Sequence, residues 1–586
     1  MELLAQAEAE ENVEVRAGVA AHWTPPPLDT AALLRRGQDL ASDRAAPVVP
    51  ALCLRAAGYA SAFHPDIEVE RVKEWAAERY RRWLRELARD EREVVESTLI
   101  TDPGNLLLGA KALPDPALAA GCIRAQFDLY EREQATLPRL NQTVLGSLLE
   151  PDDPQPASGL VSEPLEADVL VASPRPVHFA ALGLLSRRTR ARTVVPPVML
   201  EALAFRSVWM RDLSGVGLTL LGAALLDLPL PPGLLPWVAR VARSDGFFGM
   251  WELYADPHPV ANLLGTVNLY WGLSAVATEY ESSVTAAPLP SEPSRAHVEE
   301  AIAQAQQWLD QQQDRFSLLP SCPDEECFES TFKPLVEMAL LCHVLTRQRH
   351  DGSFWAQWAR GTAERLHAHV EWEGLIEAFR LQTSATLGLG IYPLLESVTG
   401  RAGRFSAQAR ELLADPFADA QERTPMREMD YQFTRALIGL PMTLSLPAQL
   451  ARTLVRKPFD PLLMDTDALY DLTHLAFYAT RFGCVPWDSS PEVRSAWPGA
   501  QLESMALGRL LMGDADLGSE LLMTRLYTGE GRGAFSPTCL RLVLDAQTPD
   551  GSFLGPEGRD ASSDEFSARY HTTLVAMGAL AESLVW

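Results

Sequence analysis

The tetrapeptide Asp-Gly-x-Phe stands at three places, residues 245–248, 351–354 and 550–553, each time directly after an amphipathic helical pattern. Asp-Gly favours a tight turn that stops a helix, because Gly enters the left-handed region without a Cβ clash. The Phe is then expected to pack back between helices. Around two of the copies, residues 239–276 and 540–580, the layout is longer: helix, Asp-Gly-x-Phe, a loop containing Gly and Asp, then a second helix opening near a Thr. A chain built from such units returns on itself as antiparallel helix pairs, so an internal repeat is expected.

The remaining periodicity agrees. Residues 70–90 place Val72, Trp75, Ala76, Tyr80, Trp83, Leu84 and Leu87 near one helical face, and residues 297–312 do the same with Val298, Ile302, Ala305 and Leu309. Alternating β patterns are short and few, at 167–172 and 193–198, the second holding two prolines. The expected class is all-α. The Pro-rich stretch 287–294 precedes a long amphipathic helix and reads as a linker. The expected division is a loose N-terminal segment at 1–30, a helical domain at 31–286 and a second at 295–586.

Composition narrows the function classes. The 586 residues carry 51 Lys+Arg against 77 Asp+Glu, a formal charge of −26. Such a balance disfavours nucleic acid and anionic membrane surfaces, which call for basic patches. Seven Cys are too few for a disulfide scaffold. The longest apolar run, 213–226, is shorter than the ~18–20 residues of a spanning helix. The acidic N-terminus does not read as a secretory signal. A soluble cytoplasmic chain with no membrane span is expected. Four Lys beside 47 Arg suggest a GC-rich bacterial genome.

The stretch 544–556, LDAQTPDGSFLGP, resembles the Gln-x-x-x-Gly-x-aromatic repeat of terpenoid cyclases and the matching turns of protein prenyltransferase β subunits, with Gln547, Gly551 and Phe553 on the motif. The resemblance implies an α/α toroid for the C-terminal domain, an inner and an outer ring of helices around a central cavity. The N-terminal domain would be related or a partial copy. RYHTTLVAMGAL, 569–580, is similar to the Tyr-His-Thr helix of prenyltransferase β subunits, whose His binds zinc; by resemblance His571 is a zinc-ligand candidate. The family's Asp-x-Cys pair has no counterpart here. MDTDALYD, 464–471, resembles the general-acid motif of class II terpenoid cyclases, which marks Asp465, Asp467 and Asp471 as acid candidates.

The residues themselves leave alternatives open. On a helix, Asp467, Asp471 and His474 share one face, and an apolar cavity there would raise a carboxyl pKa as a Brønsted acid requires. Asp465 and Asp467 also fit a helix cap and first turn. Tyr470, Thr473, Phe477, Tyr570 and Thr573 flank these positions and are expected to meet substrate. Cys539 is a candidate soft ligand beside His474 and His571. Lys333, Glu337, Arg380, Asp430 and Arg435 are charges within apolar helices, which would line a cavity if buried. Three functions follow. One is a biosynthetic enzyme acting on a hydrophobic small molecule by acid-assisted chemistry. Another is a zinc-dependent enzyme modifying a peptide or thiol. The last is a non-catalytic helical binding protein.

Overall fold

The computed structural model describes residues 25–41, 46–100, 103–133, 153–156, 175–189, 191–231, 233–243, 246–249, 259–276, 283–286, 291–317, 325–371, 375–377, 388–441, 446–454, 461–487, 497–555 and 566–586, with isolated positions at 142, 148–149 and 380. The expected strand at 167–172, most of the N-terminal segment and the loop before His571 lie outside them. The described chain is all-α apart from two four-residue strands, β1 (Ala191–Val194) and β2 (Ser283–Ala286), paired in parallel. The expected β pattern at 193–198 stops at Val194, because Pro197 opens the helix Pro197–Trp209. The chain divides into two compact units, Met1–Leu289 and Pro290–Trp586.

The first unit is built on helices α1 (Val48–Ala60), α2 (Val69–Ala88), α3 (Pro176–Thr189), α4 (Leu213–Leu225) and α5 (Pro259–Val276). On α2, Val72, Ala76, Tyr80, Trp83 and Leu87 of the expected face are buried, while Trp75 and Leu84, at its margins, are half-buried. The apolar run at 213–226 is α4, which packs against α3 and α5. Gly217 of α4 and Gly272 of α5 let two backbones approach closely: a Cβ on Gly272 would stand 2.4 Å from the Gly217 carbonyl oxygen. Among the described residues, no helix is long and apolar enough to cross a membrane.

The second unit holds α6 (Arg295–Gln311), α7 (Glu325–Leu345), α8 (Phe354–Val370), α9 (Ile391–Thr399), α10 (Pro425–Leu437), α11 (Thr466–Ala479), α12 (Leu502–Leu511), α13 (Ala515–Tyr527), α14 (Ser536–Asp545) and α15 (Phe566–Ser583). Six of these contact one another in a closed order. The sequence α7, α9, α10, α11, α13, α15 leads back to α7. The others pack outside: α6 on α8 and α15, α8 on α7 and α9, α12 and α14 on α13. This is the contact order that an inner and an outer ring of helices require.

The two long repeat copies share atomic detail. Gly246 and Gly551 both take positive φ, at 79° and 93°. An isolated antiparallel bridge closes each loop, Ala242 to Phe248 and Gln547 to Phe553. The Phe248 N–H donates to Thr266 Oγ1 at 3.2 Å, and the Phe553 N–H donates to Thr573 Oγ1 at 3.0 Å. Both Phe rings are fully buried, each burial worth roughly 1.5–3 kcal/mol. The third copy behaves differently. Gly352 turns with φ 85°, but Ser353 then caps α8 and Phe354 is exposed at its first position. The expected packing of that Phe fails because a helix starts at once, leaving no loop to return it to the core.

Candidate functional site

The six ring helices enclose a cavity of about 930 Å³, and all six contribute its walls. Each helix that supplies charge begins polar and ends apolar along the chain. On α7, Glu337 precedes Leu341 and Val344. On α13, Asp516 and Glu520 precede Met523 and Tyr527. On α11, Asp471 and His474 precede Phe477 and Tyr478. Like ends meet. Tyr527 packs edge-on against Phe477 and Phe482, while Gly578 of α15 lies beside Leu341 and Met523. The cavity therefore has one polar end and one aromatic and aliphatic end.

Asp516 is the hub of the polar end. It is fully buried and accepts three hydrogen bonds: from His571 Nδ1 at 2.7 Å, from the Thr572 hydroxyl at 2.8 Å and from the Tyr470 hydroxyl at 2.9 Å. One carboxylate thus ties α11, α13 and α15 together. One turn further along α13, buried Glu520 accepts from the Thr473 hydroxyl, and its other oxygen lies 3.6 Å from His474 Nε2. His571 Nε2 reaches the Glu337 carboxylate at 3.9 Å. Each imidazole is thus paired with a carboxylate of α13, and each lines the cavity with about a third of its side chain open, 30% for His571 and 31% for His474.

The electrostatics follow from these partners. Burial would lower the His571 pKa, but the Asp516 charge and hydrogen bond, with Glu337 and Glu520, carry it up to about 10. His571 is an imidazolium at neutral pH. Burial would raise the Asp516 carboxyl, yet the His571 charge and the three donated hydrogen bonds hold it below the usual range. His474 is likewise raised by Glu520 against the effect of burial. Asp471 and Asp430 move the other way: burial raises both carboxyls, although His474 and Arg427 pull against it.

The expected site residues separate into groups. Asp471, His474, His571, Tyr470, Tyr570 and Phe477 line the cavity, as does Asp467 at its exposed edge. Asp465 is the N-cap of α11, accepting from the Ala468 N–H at 2.8 Å. Thr473 is buried behind the wall, where it supports Glu520. Thr573 is buried too, and its hydroxyl serves the repeat turn through Phe553 instead of facing the cavity. Cys539 is a correction. It is buried on α14, outside the ring, with a thiol that burial pushes far up, and it joins neither His474 nor His571. Glu337 and Asp430 line the cavity, whereas Lys333 extends largely into solvent. Asp516 and Glu520 were missed. Their signal was slight, two carboxylates four apart on a helix whose one other charge is Arg525.

Asp516, Glu520 and His571 each offer one ligand atom, and these atoms all lie within 4.8 Å of one another. Two carboxylates and an imidazole suit a divalent ion such as zinc, once the imidazolium proton is displaced. The first unit keeps the framework without this chemistry. Asp212 and Asp514 cap α4 and α13 alike, each accepting from the N–H three residues on. Counting from these caps, Ser214 and Leu218 stand where α13 has Asp516 and Glu520. Counting from Thr266 and Thr573, Leu264 stands where α15 has His571.

Residues 302–581 match the family model described as a domain of unknown function, DUF6895. The match starts in α6 and ends in α15, so it takes in the whole ring. No curated protein matches the chain.

Proposed function

We propose that the second unit is an enzyme that holds a hydrophobic small molecule in its central cavity and transforms it by acid-assisted chemistry at the polar end. The observation that carries this reading is the pairing of two imidazoles with two buried carboxylates, Asp516–His571 and Glu520–His474, in a cavity whose other end is aromatic and aliphatic. Buried charge is expensive unless it is paired, and a scaffold has no need to keep it beside an empty volume. Asp471 is the proton donor in this reading, since burial holds its carboxyl protonated to higher pH while it faces the cavity. The two carboxylate–imidazole pairs orient the substrate, and the Asp471 carboxylate left by the first transfer takes up the proton released later. The closed helix order and the Gln547 turn support the reading of this unit as an α/α toroid resembling terpenoid cyclases, for which a biosynthetic role is the natural setting.

The test is metabolite profiling of the native host carrying the intact gene, a deletion, or Asp471→Asn and His571→Ala variants. The product present with the intact gene is expected to vanish in the deletion and to fall at least tenfold in both variants. Full product from both variants overturns the assignment, and a deletion without any metabolic change favours a binding protein.

A second reading has its own observation, the convergence of Asp516, Glu520 and His571. A zinc ion held there would polarise a substrate oxygen or activate a water at the polar end. Stoichiometric metal in the purified protein, with activity lost on chelation, would favour it over acid chemistry alone.

A further inference from the structure

The charge around the cavity is lopsided. Among the described residues, six carboxyl side chains line it against two permanent cations, Lys333 and Arg427. Both cations already have partners: Lys333 lies 3.8 Å from Glu337, and Arg427 lies 3.3 Å from Asp430. Both also extend into solvent, with 68% and 56% of their side chains exposed. Counting His571 and His474 as charged and Asp471 as the protonated donor, the carboxylates still exceed the cations by one. The excess sits at the polar end, where Asp467 is exposed at the cavity edge and Glu520 stands fully buried deeper in.

Aromatic faces gather at the same end. Tyr470 stacks on His474 with ring centroids 6.0 Å apart, and Tyr478, where the wall turns apolar, lies 6.1 Å from the same imidazole. Carboxylates combined with aromatic faces are a favourable surroundings for an organic cation, through Coulomb attraction and the negative ring face together. They are a poor surroundings for a phosphate or sulfate, which would meet Asp516 and Glu520 at close range. Beyond this end the walls turn to Phe477, Phe482, Met523 and Tyr527, which suit an apolar body.

We infer that the occupant of the cavity is a cationic amphiphile: an amine or quaternary ammonium head among the carboxylates and an apolar tail among the aromatic rings. This rests on the reading of the cavity as a substrate site, and it names the substrate class. The head lies beside the carboxylate–imidazole pairs, so the chemistry falls near the charged nitrogen and not at the far end of the tail.

The experiment is isothermal titration of the full-length chain, with EDTA present throughout, using octyltrimethylammonium, octyl sulfate and 1-octanol below their aggregation limits. Octyltrimethylammonium is expected to bind at least tenfold more tightly than octyl sulfate. In Asp467→Asn, at the exposed start of α11, this preference should shrink at least threefold while 1-octanol affinity stays unchanged. Equal binding of the ammonium and the sulfate, or tighter binding of the sulfate, overturns the charge assignment but leaves the cavity as an apolar site. Binding of none of the three overturns the cavity reading itself. A preference that survives Asp467→Asn in full shows that the head sits elsewhere and overturns the placement.

Discussion

His571 Nδ1 lies 2.7 Å from Asp516 Oδ2, and the pair joins α15 to α13 across the polar end of the helical ring. The Thr572 hydroxyl on the next residue of α15 donates to the same oxygen. Two consecutive side chains of one helix therefore read one carboxylate of its neighbour, which sets the rotation of α15 against α13 as well as the charge on the imidazole.

The pair predicts a pH dependence of stability. His571 has a folded pKa of about 10 against an ordinary 6.5, so its contribution is complete below 6.5 and fades as pH rises toward 10. Asp516 has a folded pKa below the ordinary 3.8, so its contribution is complete above that value and fades in stronger acid. Urea unfolding should show the wild-type chain losing more stability than His571→Ala between about pH 6.5 and about pH 10. Parallel curves would show that the imidazole gains nothing from Asp516. NMR titration of the His571 ring should place its pKa far lower in Asp516→Asn.

The shared turn predicts paired losses. Thr573→Val keeps the shape of the side chain but removes the acceptor of the buried Phe553 N–H, and Thr266→Val does the same to Phe248. An orphaned buried N–H costs about 1–3 kcal/mol. Thermal unfolding should show a loss of that size in each variant. A loss in one alone would mean that the two turns, alike in geometry, differ in energy.

Two glycines in the same kind of turn should respond differently. Gly352 has φ 85° and open space around a Cβ, so Gly352→Ala should cost only the left-handed penalty of about 1–2 kcal/mol. Gly551 has φ 93°, and a Cβ there would stand 2.3 Å from the Gln304 carbonyl oxygen of α6. Gly551→Ala should cost distinctly more, about 3 kcal/mol or above, because backbone must move. Equal losses by chemical denaturation would show that α6 yields freely.

The metal reading makes a prediction of its own. Zinc added to the EDTA-treated chain at neutral pH must displace the proton shared by His571 and Asp516, so binding should release close to one proton per ion. Calorimetry in two buffers of different ionisation enthalpy measures this. Glu520→Gln and His571→Ala should abolish binding, while Cys539→Ala should leave it intact. Binding that depends on Cys539 would place the ion outside the ring.

The features readable without the fold are those whose causes are local. The helical faces of α2 and α6, the positive-φ glycines of the three Asp-Gly turns and the cap made by Asp465 depend on neighbours a few residues away. His571 and His474 were legible for a similar reason, as polar residues at fixed places near helix starts. What remained hidden depends on ring closure. Which carboxylates the imidazoles meet is decided by α13 packing between α11 and α15, contacts some fifty residues apart along the chain. In sequence, Asp516 and Glu520 look like surface charges on an ordinary helix, and Cys539 looks as able to reach His571 as they do. Only when the outer helices enclose α13 on one side and the cavity opens on the other do those two carboxylates become buried, paired and chemically useful. Cys539, on α14, is left on the far side of the wall.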